Sequence, residues 1–262
     1  EISNWQLIQY DLSSSFKGGQ ALDLESLKKT IIDEPFNLAA DSLIRTNLIK
    51  LDHDKYILIF ILHHIITDGW SMGVLSHEFS VLYSAYSQGK DDPLEPLPIQ
   101  YVDYAEWQRD YLQGDLLTQH REYWRTQLCD LPVLSLPFDR QRPRLQSYEG
   151  TTLAFQLDSD ITEQIKSLAQ QQGCTLFMTV LAAFNVLLYR YTDQTDICVG
   201  TPIANRLQLE AEPLIGYFAN TLPLRNDLSG DISFTNLQKK IKQTTLSAYE
   251  YQSLPFEQIV DA

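Results

Sequence analysis

An uninterrupted apolar run is the feature that most constrains the fold of this chain. Residues Lys55–His64 are KYILIFILHH, a pattern that predicts a strand buried on both faces. The Asp68–Gly69 pair that follows favours a tight turn, and apolar residues with helical spacing begin directly after it. With Ser71 as the helix N-cap and Gly89 as its stop, this part of the chain is predicted to form a strand, a turn and a helix.

A second set of strands and helices begins after a linker. The segment Leu131–Gly150 contains prolines and has no apolar period, so it is predicted to join two domains, 1–130 and 151–262. In the second domain, TTLAFQLD (151–158) alternates as a strand, and the run 175–192 is apolar nearly all round, which is typical of a buried helix. Strands that alternate with helices in both halves predict an α/β fold built as an α+β sandwich.

The composition excludes several classes of partner. The formal net charge of −14 argues against nucleic acid, because proteins that bind the phosphate backbone carry a basic face. The apolar runs are too short to span a bilayer, no signal peptide is visible, and the three cysteines form no C-x-x-C pair. We therefore expect a cytoplasmic protein without a membrane partner. Since the first residue is not methionine, we also expect a piece of a longer chain.

The residues at the end of the apolar run, HHIITDG (His63–Gly69), allow three interpretations. A metal site is not predicted, because adjacent histidines on a strand point to opposite faces and do not easily share an ion. A structural turn explains His63, and also Asp68 if its carboxylate holds the turn. A catalytic base explains His64, because the pKa of histidine lies near neutral pH. No nucleophile elbow accompanies the motif, which favours direct acyl transfer.

Six blocks in the expected order give the chain a family resemblance. HHIITDG resembles the HHxxxDG motif of nonribosomal peptide synthetase condensation domains, which are similar to chloramphenicol acetyltransferase folded twice. The downstream blocks that resemble the same family are YVDYAEWQ (Tyr101–Gln108), RPRLQSYEG (Arg142–Gly150), GTPIANR (Gly200–Arg206), IGYFANTLPLR (Ile215–Arg225) and YQSLPFEQIV (Tyr251–Val260).

The resemblance implies a fold and a reaction. The expected fold is two chloramphenicol acetyltransferase-like subdomains in a V-shaped pseudo-dimer with a tunnel between them, residues 1–130 lacking the start of the first and 151–262 lacking the end of the second. The implied reaction joins a donor acyl or peptidyl thioester to an acceptor aminoacyl thioester. Both are carried on the 4′-phosphopantetheine of upstream and downstream peptidyl carrier proteins. An adenylation domain is the implied neighbour, and no cofactor is expected on the domain itself.

The same resemblance assigns roles within the motif. His64 is the implied catalytic residue, either as a general base or by hydrogen-bonding the amine and stabilising the tetrahedral intermediate. Asp68 is implied to pair with an arginine, for which we choose Arg206 over Arg190. Gly69 is expected to permit the turn and the close approach of substrate.

Three further residues, Asn220, Trp70 and Ser71, are assigned to the substrate tunnel. For Asn220 the alternative is a hydrogen bond to its own backbone, and for Trp70 the alternative is packing beside the turn. His63 is assigned a structural role on the other face of the strand, and Tyr101 is expected only to pack.

Other functions remain open beside amide formation. An epimerisation domain keeps HHxxxDG, a stand-alone HxxxD acyltransferase uses a soluble thioester, and a non-catalytic recruitment domain keeps only the fold. Heterocyclisation domains carry aspartate in place of both histidines, so His63 and His64 exclude that subtype.

Overall fold

The computed structural model combines helices and strands, which confirms the predicted α/β class. The described residues divide into two compact units. The described residues of the first unit lie within Glu1–Ala105 and Arg206–Phe218, and those of the second lie within Glu106–Asn205 and Ala219–Ala262. The structure describes residues 5–13, 21–141, 143–145, 147 and 150–261.

A three-stranded sheet forms the centre of the first unit. Strands β1 (Leu7–Asp11), β2 (Ile44–Lys50) and β3 (Tyr56–Leu62) lie in the order β1-β2-β3. β1 runs parallel to β2, and helix α1 (Ala21–Asp33) connects them because parallel neighbours need a crossover. β3 runs antiparallel to β2, with Ile44 opposite Leu62.

The predicted strand is present as β3, but its burial is lower than expected. Ile57, Ile59 and Ile61 pack towards a small core formed by Ile31 of α1 and Ile49 of β2. All residues of β3 after Tyr56 are only half-buried. The prediction of a strand buried on both faces is therefore wrong. Because β3 is the last strand of the sheet among the described residues, its side chains have a neighbouring strand on one side only.

The helix that follows the turn is α2 (Gly69–Ser87). Its N-cap is Asp68, whose Oδ1 accepts the Ser71 N–H at 2.8 Å, so the assignment of Ser71 as N-cap is wrong. The predicted stop is confirmed: the helix ends at Ser87, and Gly89 has a φ of +68°.

The second unit holds most of the helices. Helix α3 (Tyr101–Tyr111) begins in the first unit and ends in the second. The remaining helices are α4 (Gly114–Gln127), α5 (Ser159–Gln171), α6 (Leu176–Thr192), α7 (Phe234–Glu250) and α8 (Phe256–Val260), and the strands are β4 (Asp196–Ile203) and β5 (Asn220–Asp227), which pair antiparallel.

The core of the second unit lies where α6 and α7 meet the β4-β5 pair. Ala182, Leu222 and Ile241 are fully buried there. The opposite face of α6 is exposed at Phe177 and Phe184, so the prediction of a helix buried all round is wrong. The predicted strand at 151–158 is also wrong, because these residues have no regular structure and none of the described strands pairs with them.

The compact units differ from the predicted domain ranges. Helix α4 falls in the first predicted domain, but its Trp124 is 1% exposed in the core of the second unit and donates Nε1–H to the carbonyl of Tyr251 at 3.1 Å. The assignment of 1–130 and 151–262 to acetyltransferase-like subdomains stays a prediction. In the RPRLQSYEG block, Arg142, Gln146, Tyr148 and Glu149 lie outside the described residues.

Candidate active site

The two adjacent histidines separate because the chain turns away from the sheet at His64, whereas the extended His63 still donates its backbone N–H to the carbonyl of Leu43 at 2.9 Å. β3 ends at Leu62, and a 3-10 turn covers His64–Ile66. His63 caps this turn: its Nδ1 accepts the Ile65 N–H at 3.1 Å, and its ring meets that of Phe36 at a centroid distance of 5.7 Å. The explanation by strand alternation is therefore wrong, since His64 begins a 3-10 turn instead of continuing the strand.

His64 is exposed at the start of this turn. Its ring contacts that of Tyr217 at 5.4 Å between centroids, with the two planes at 80°. An accessible imidazole can exchange hydrogen bonds or protons with a bound molecule, which a ring packed in an apolar core cannot do.

Asp68, four residues later, is buried and 3% exposed. In addition to the cap on Ser71, its Oδ2 accepts the N–H of Phe218 at 3.0 Å. Its Oδ1 lies 3.3 Å from Nη2 of Arg206, and both side chains are 2% exposed. The structure therefore contains the ion pair with Arg206, whereas the alternative, Arg190, lies in the last turn of α6 in the second unit.

Arg206 connects the segment Arg206–Phe218 to the start of α2 through hydrogen bonds of its guanidinium. Its Nη2 donates to Ser71 Oγ at 2.8 Å, and its Nη1 donates to the carbonyls of Leu214, at 2.8 Å, and Ala211. The guanidinium also lies 3.9 Å from the centroid of the Phe218 ring, within the range of a cation–π contact.

Hydrogen bonds and charge decide the ionisation of this pair. Burial raises the pKa of Asp68, but the N–H groups of Ser71 and Phe218, the Ser71 hydroxyl and the charge of Arg206 outweigh it, so the pKa is lowered overall. Burial lowers the pKa of Arg206, and the charge of Asp68 opposes that change. Both groups are charged at neutral pH, so Asp68 does not act as a proton donor. It forms with Arg206 a buried ion pair that supports the start of α2, and we call this pair the brace.

Ser71 is fully buried in the first turn of α2. Its hydroxyl donates to the carbonyl of Gly216 at 2.8 Å and accepts the N–H of the same residue at 3.1 Å. These bonds give Ser71 a structural role, and its assignment to a tunnel stays a prediction.

Gly69 and Trp70 lie on the surface at the head of α2. A Cβ on Gly69 would meet open space and its φ is not positive, so the turn itself does not require glycine here. Trp70 is 47% exposed and donates Nε1–H to the carbonyl of Glu212 at 2.9 Å, which rules out the alternative of core packing. It borders a cleft of about 760 Å³ that is also lined by Val74, His77, Glu78, Leu94, Leu97 and Pro213.

Asn220 is the first residue of β5 in the second unit, and its side-chain amide makes four hydrogen bonds. Nδ2 donates to the carbonyls of Gln252 and Leu254, at 2.9 and 2.8 Å, and Oδ1 accepts the N–H groups of Phe256 and Thr221, both at 2.9 Å. These four bonds match the capacity of an asparagine side chain. They give Asn220 a structural role in holding the segment before α8, and its place in a tunnel stays a prediction.

Two aromatic residues that the sequence predictions did not assign to the site lie against it. Tyr101 donates its hydroxyl to the carbonyl of Tyr217 at 2.7 Å, and a Cβ on Gly216 would overlap the Tyr101 ring. The sequence predicts only packing for Tyr101 and assigns no role to Tyr217. Both residues lie in blocks that resemble the condensation-domain family, YVDYAEWQ and IGYFANTLPLR, and this position in the blocks is the signal that could have found them.

The described residues give little support to a metal site or to a membrane span. They contain no group of three or more histidine, cysteine or acidic side chains placed to hold a metal ion. No single helix in this part of the chain has the length and apolar composition of a membrane span, and one pair of consecutive helices, α5 and α6, meets that test only when joined across a bend of 104°.

Comparison with known proteins covers nearly the whole chain. The family model described as Condensation domain matches residues 5–262. A linear gramicidin synthase of Brevibacillus parabrevis is 45% identical over 259 residues, which are 98% of this chain and 5% of that protein. Bacitracin synthase 3 of Bacillus licheniformis is 40% identical over 259 residues, which are 98% of this chain and 4% of that protein. The chain therefore spans only a small fraction of these relatives.

Solved structures show the same fold. The X-domain from teicoplanin biosynthesis superimposes with a TM-score of 0.87 at 28% identity, covering 98% of this chain and 57% of that one. A four-domain nonribosomal peptide synthetase, holo-AB3403 bound to AMP and glycine, gives a TM-score of 0.85 at 25% identity, covering 98% of this chain and 19% of that one.

Proposed function

Because this chain belongs to the condensation-domain family of nonribosomal peptide synthetases, we propose that it forms an amide bond between two carrier-bound thioesters. The observation that carries the proposal is the exposed His64 beside a buried, charge-neutralised brace. An accessible imidazole on a fixed turn suits proton exchange at a reacting amine.

The proposed reaction is a direct acyl transfer. The acceptor amine attacks the carbonyl carbon of the donor thioester, forming a C–N bond and a tetrahedral intermediate. The C–S bond then breaks, the amine nitrogen loses one proton, and the sulfur leaves as a free thiol with a proton. His64 acts at the amine, where its imidazole takes the proton or the hydrogen bond of the attacking N–H.

Asp68 supports this reaction without taking part in proton transfer. Its oxygens accept backbone N–H groups at 2.8 and 3.0 Å and face Arg206, and its lowered pKa keeps it ionised at neutral pH. It holds the beginning of α2, and through it the turn that carries His64.

The proposed partners are the upstream and downstream peptidyl carrier proteins, each presenting its substrate on 4′-phosphopantetheine, with an adenylation domain as neighbour. The motif that resembles condensation domains is intact from His63 to Gly69, which favours catalysis over recruitment alone.

The test is amide formation in the complete protein with two loaded carriers. His64→Ala is expected to lower the rate by roughly 10²–10³, the typical cost of losing one preorganised interaction in the transition state. His53→Ala removes another exposed histidine of the first unit and is the matched control, expected at the wild-type rate. His64→Gln keeps a hydrogen bond but not a base, so its rate separates positioning from proton transfer.

Two outcomes would contradict the proposal. Undiminished product from His64→Ala would remove this residue from the mechanism and favour a non-catalytic recruitment domain. Equal use of coenzyme A-bound and carrier-bound donors would favour a stand-alone acyltransferase.

A further inference from the structure

The segment Gly216–Phe218 has a fixed backbone but presents one side chain at the surface. Its first residue exchanges two hydrogen bonds with Ser71, and its last donates N–H to Asp68. The carbonyl of the central residue, Tyr217, accepts the hydroxyl of Tyr101 at 2.7 Å. Tyr217 is nevertheless 43% exposed, so hydrogen bonds hold the backbone of this segment while the ring stays partly open to solvent.

That ring meets His64. The centroid distance of 5.4 Å and the interplanar angle of 80° are those of a favourable edge-to-face aromatic pair. His64 itself is exposed and begins a turn of three residues. A ring contact from a fixed backbone restricts the rotamers of the imidazole while leaving it open to solvent.

We propose that Tyr217 is a positioning residue that holds the His64 imidazole in its reactive orientation, a role that rests on the function proposed above. The ring acts through contact with the imidazole, and the tyrosine hydroxyl is not required. Orientation of a reacting group contributes directly to rate, because a misdirected imidazole must be reoriented at the moment of attack.

Chemical labelling tests the contact independently of catalysis. Diethyl pyrocarbonate acylates accessible imidazoles, and mass spectrometry of peptides from the complete protein gives the rate at each histidine. Tyr217→Ala is expected to speed labelling of His64 about 2-fold or more while leaving His53 and His77, both exposed, unchanged. Tyr217→Phe keeps the ring and should label as wild type does. An unchanged rate at His64 in the alanine variant would overturn the proposal.

Rates of amide formation test the consequence. Tyr217→Ala is expected to lower kcat about 2- to 10-fold with the KM for both carriers unchanged, the range given by the strength of one aromatic pair. Tyr217→Phe should keep at least about half of the wild-type kcat. Tyr83→Ala removes a tyrosine of α2 that is 68% exposed and stacked on Phe79, and serves as the matched control with full activity. Equal losses of kcat in Tyr217→Phe and Tyr217→Ala would overturn the role of the ring.

A double-mutant cycle separates positioning from direct action on the substrate. In a His64→Ala background, Tyr217→Ala is expected to cause no further loss. A further loss of the same size there would show that the ring acts without His64 and would overturn the proposal. If the wild-type protein forms no amide, the proposed function fails, while the labelling experiment still decides whether Tyr217 holds His64.

Discussion

His64 and Asp68 stand four residues apart in one motif and lie in opposite environments. His64 is exposed and contacts the ring of Tyr217. Asp68 is 3% exposed, caps α2, binds the N–H of Phe218 and pairs with Arg206. The difference indicates that His64 is accessible to a bound molecule and that Asp68 stabilises the surrounding structure.

This division has a physical reason. A buried carboxylate is stable only when hydrogen bonds and an opposite charge replace its water, and those partners then occupy the oxygens that a catalytic acid would need. An exposed imidazole keeps its water and can exchange it for a substrate.

Removing the brace should have the largest effect on stability. Asp68→Ala leaves Arg206 buried without its partner and uncaps α2, so we expect the free energy of unfolding to fall by about 3–5 kcal/mol. Urea denaturation measures the loss, and hydrogen exchange should speed up at the amides of Ser71 and Phe218. Asp54→Ala, an exposed acidic residue of the same unit, is the control and should change neither quantity. A loss below about 1 kcal/mol would show that the brace is dispensable.

Acid should weaken the same brace more gently. The pKa of Asp68 is lowered in the folded state, so its contribution to stability is fully present above the pKa of an unfolded aspartate, about 4. The contribution is lost as pH falls through the folded pKa. We expect the stability difference between wild type and Asp68→Asn to be constant near neutral pH and to shrink below about pH 4. A difference that is independent of pH would contradict the ionised brace.

Weakening the surface contact of Trp70 should lower the free energy of unfolding by less than Asp68→Ala does. Trp70→Phe keeps an aromatic ring but removes the hydrogen bond from Nε1 to the carbonyl of Glu212, so we expect a loss of about 0.5–1.5 kcal/mol. Thermal unfolding measures it, with Tyr86→Phe, another exposed aromatic residue of α2, as the control. A loss as large as that for Asp68→Ala would mean that the surface contact, rather than the buried pair, holds this region.

The smallest effect on stability should come from the proposed catalytic residue. His64→Ala is expected to lower the free energy of unfolding by about 0.5 kcal/mol, the lower end of the strength of an aromatic pair, because the side chain is exposed and its only ring contact is with Tyr217 among the described residues. The same urea titration measures it. A large loss would mean that His64 supports the fold, and the division between the two residues would disappear.

Local pattern and long-range contact account for different parts of this structure. The strand β3 and the stop of α2 at Gly89 were both predictable, since each depends on residues adjacent in the chain. The turn lies at His64–Ile66, whereas the predicted turn pair, Asp68 and Gly69, forms the N-cap and the first residue of α2. The strand predicted at 151–158 is absent because a strand depends on a distant part of the chain. Alternation is typical of a strand, but a strand forms only where it can pair with a neighbouring strand.

The order of residues was enough to predict the family, the α/β class and, through the family resemblance, the pairing of Asp68 with Arg206 in preference to Arg190. The folded chain was needed to show that His64 begins a turn instead of continuing the strand, that Asp68 rather than Ser71 caps α2, and that Tyr217 contacts His64. The contacts to Phe218 and Tyr217 join residues about 150 positions apart in the chain. Periodicity and capping rules describe neighbours within a few residues, so contacts of this length are set by how the chain packs.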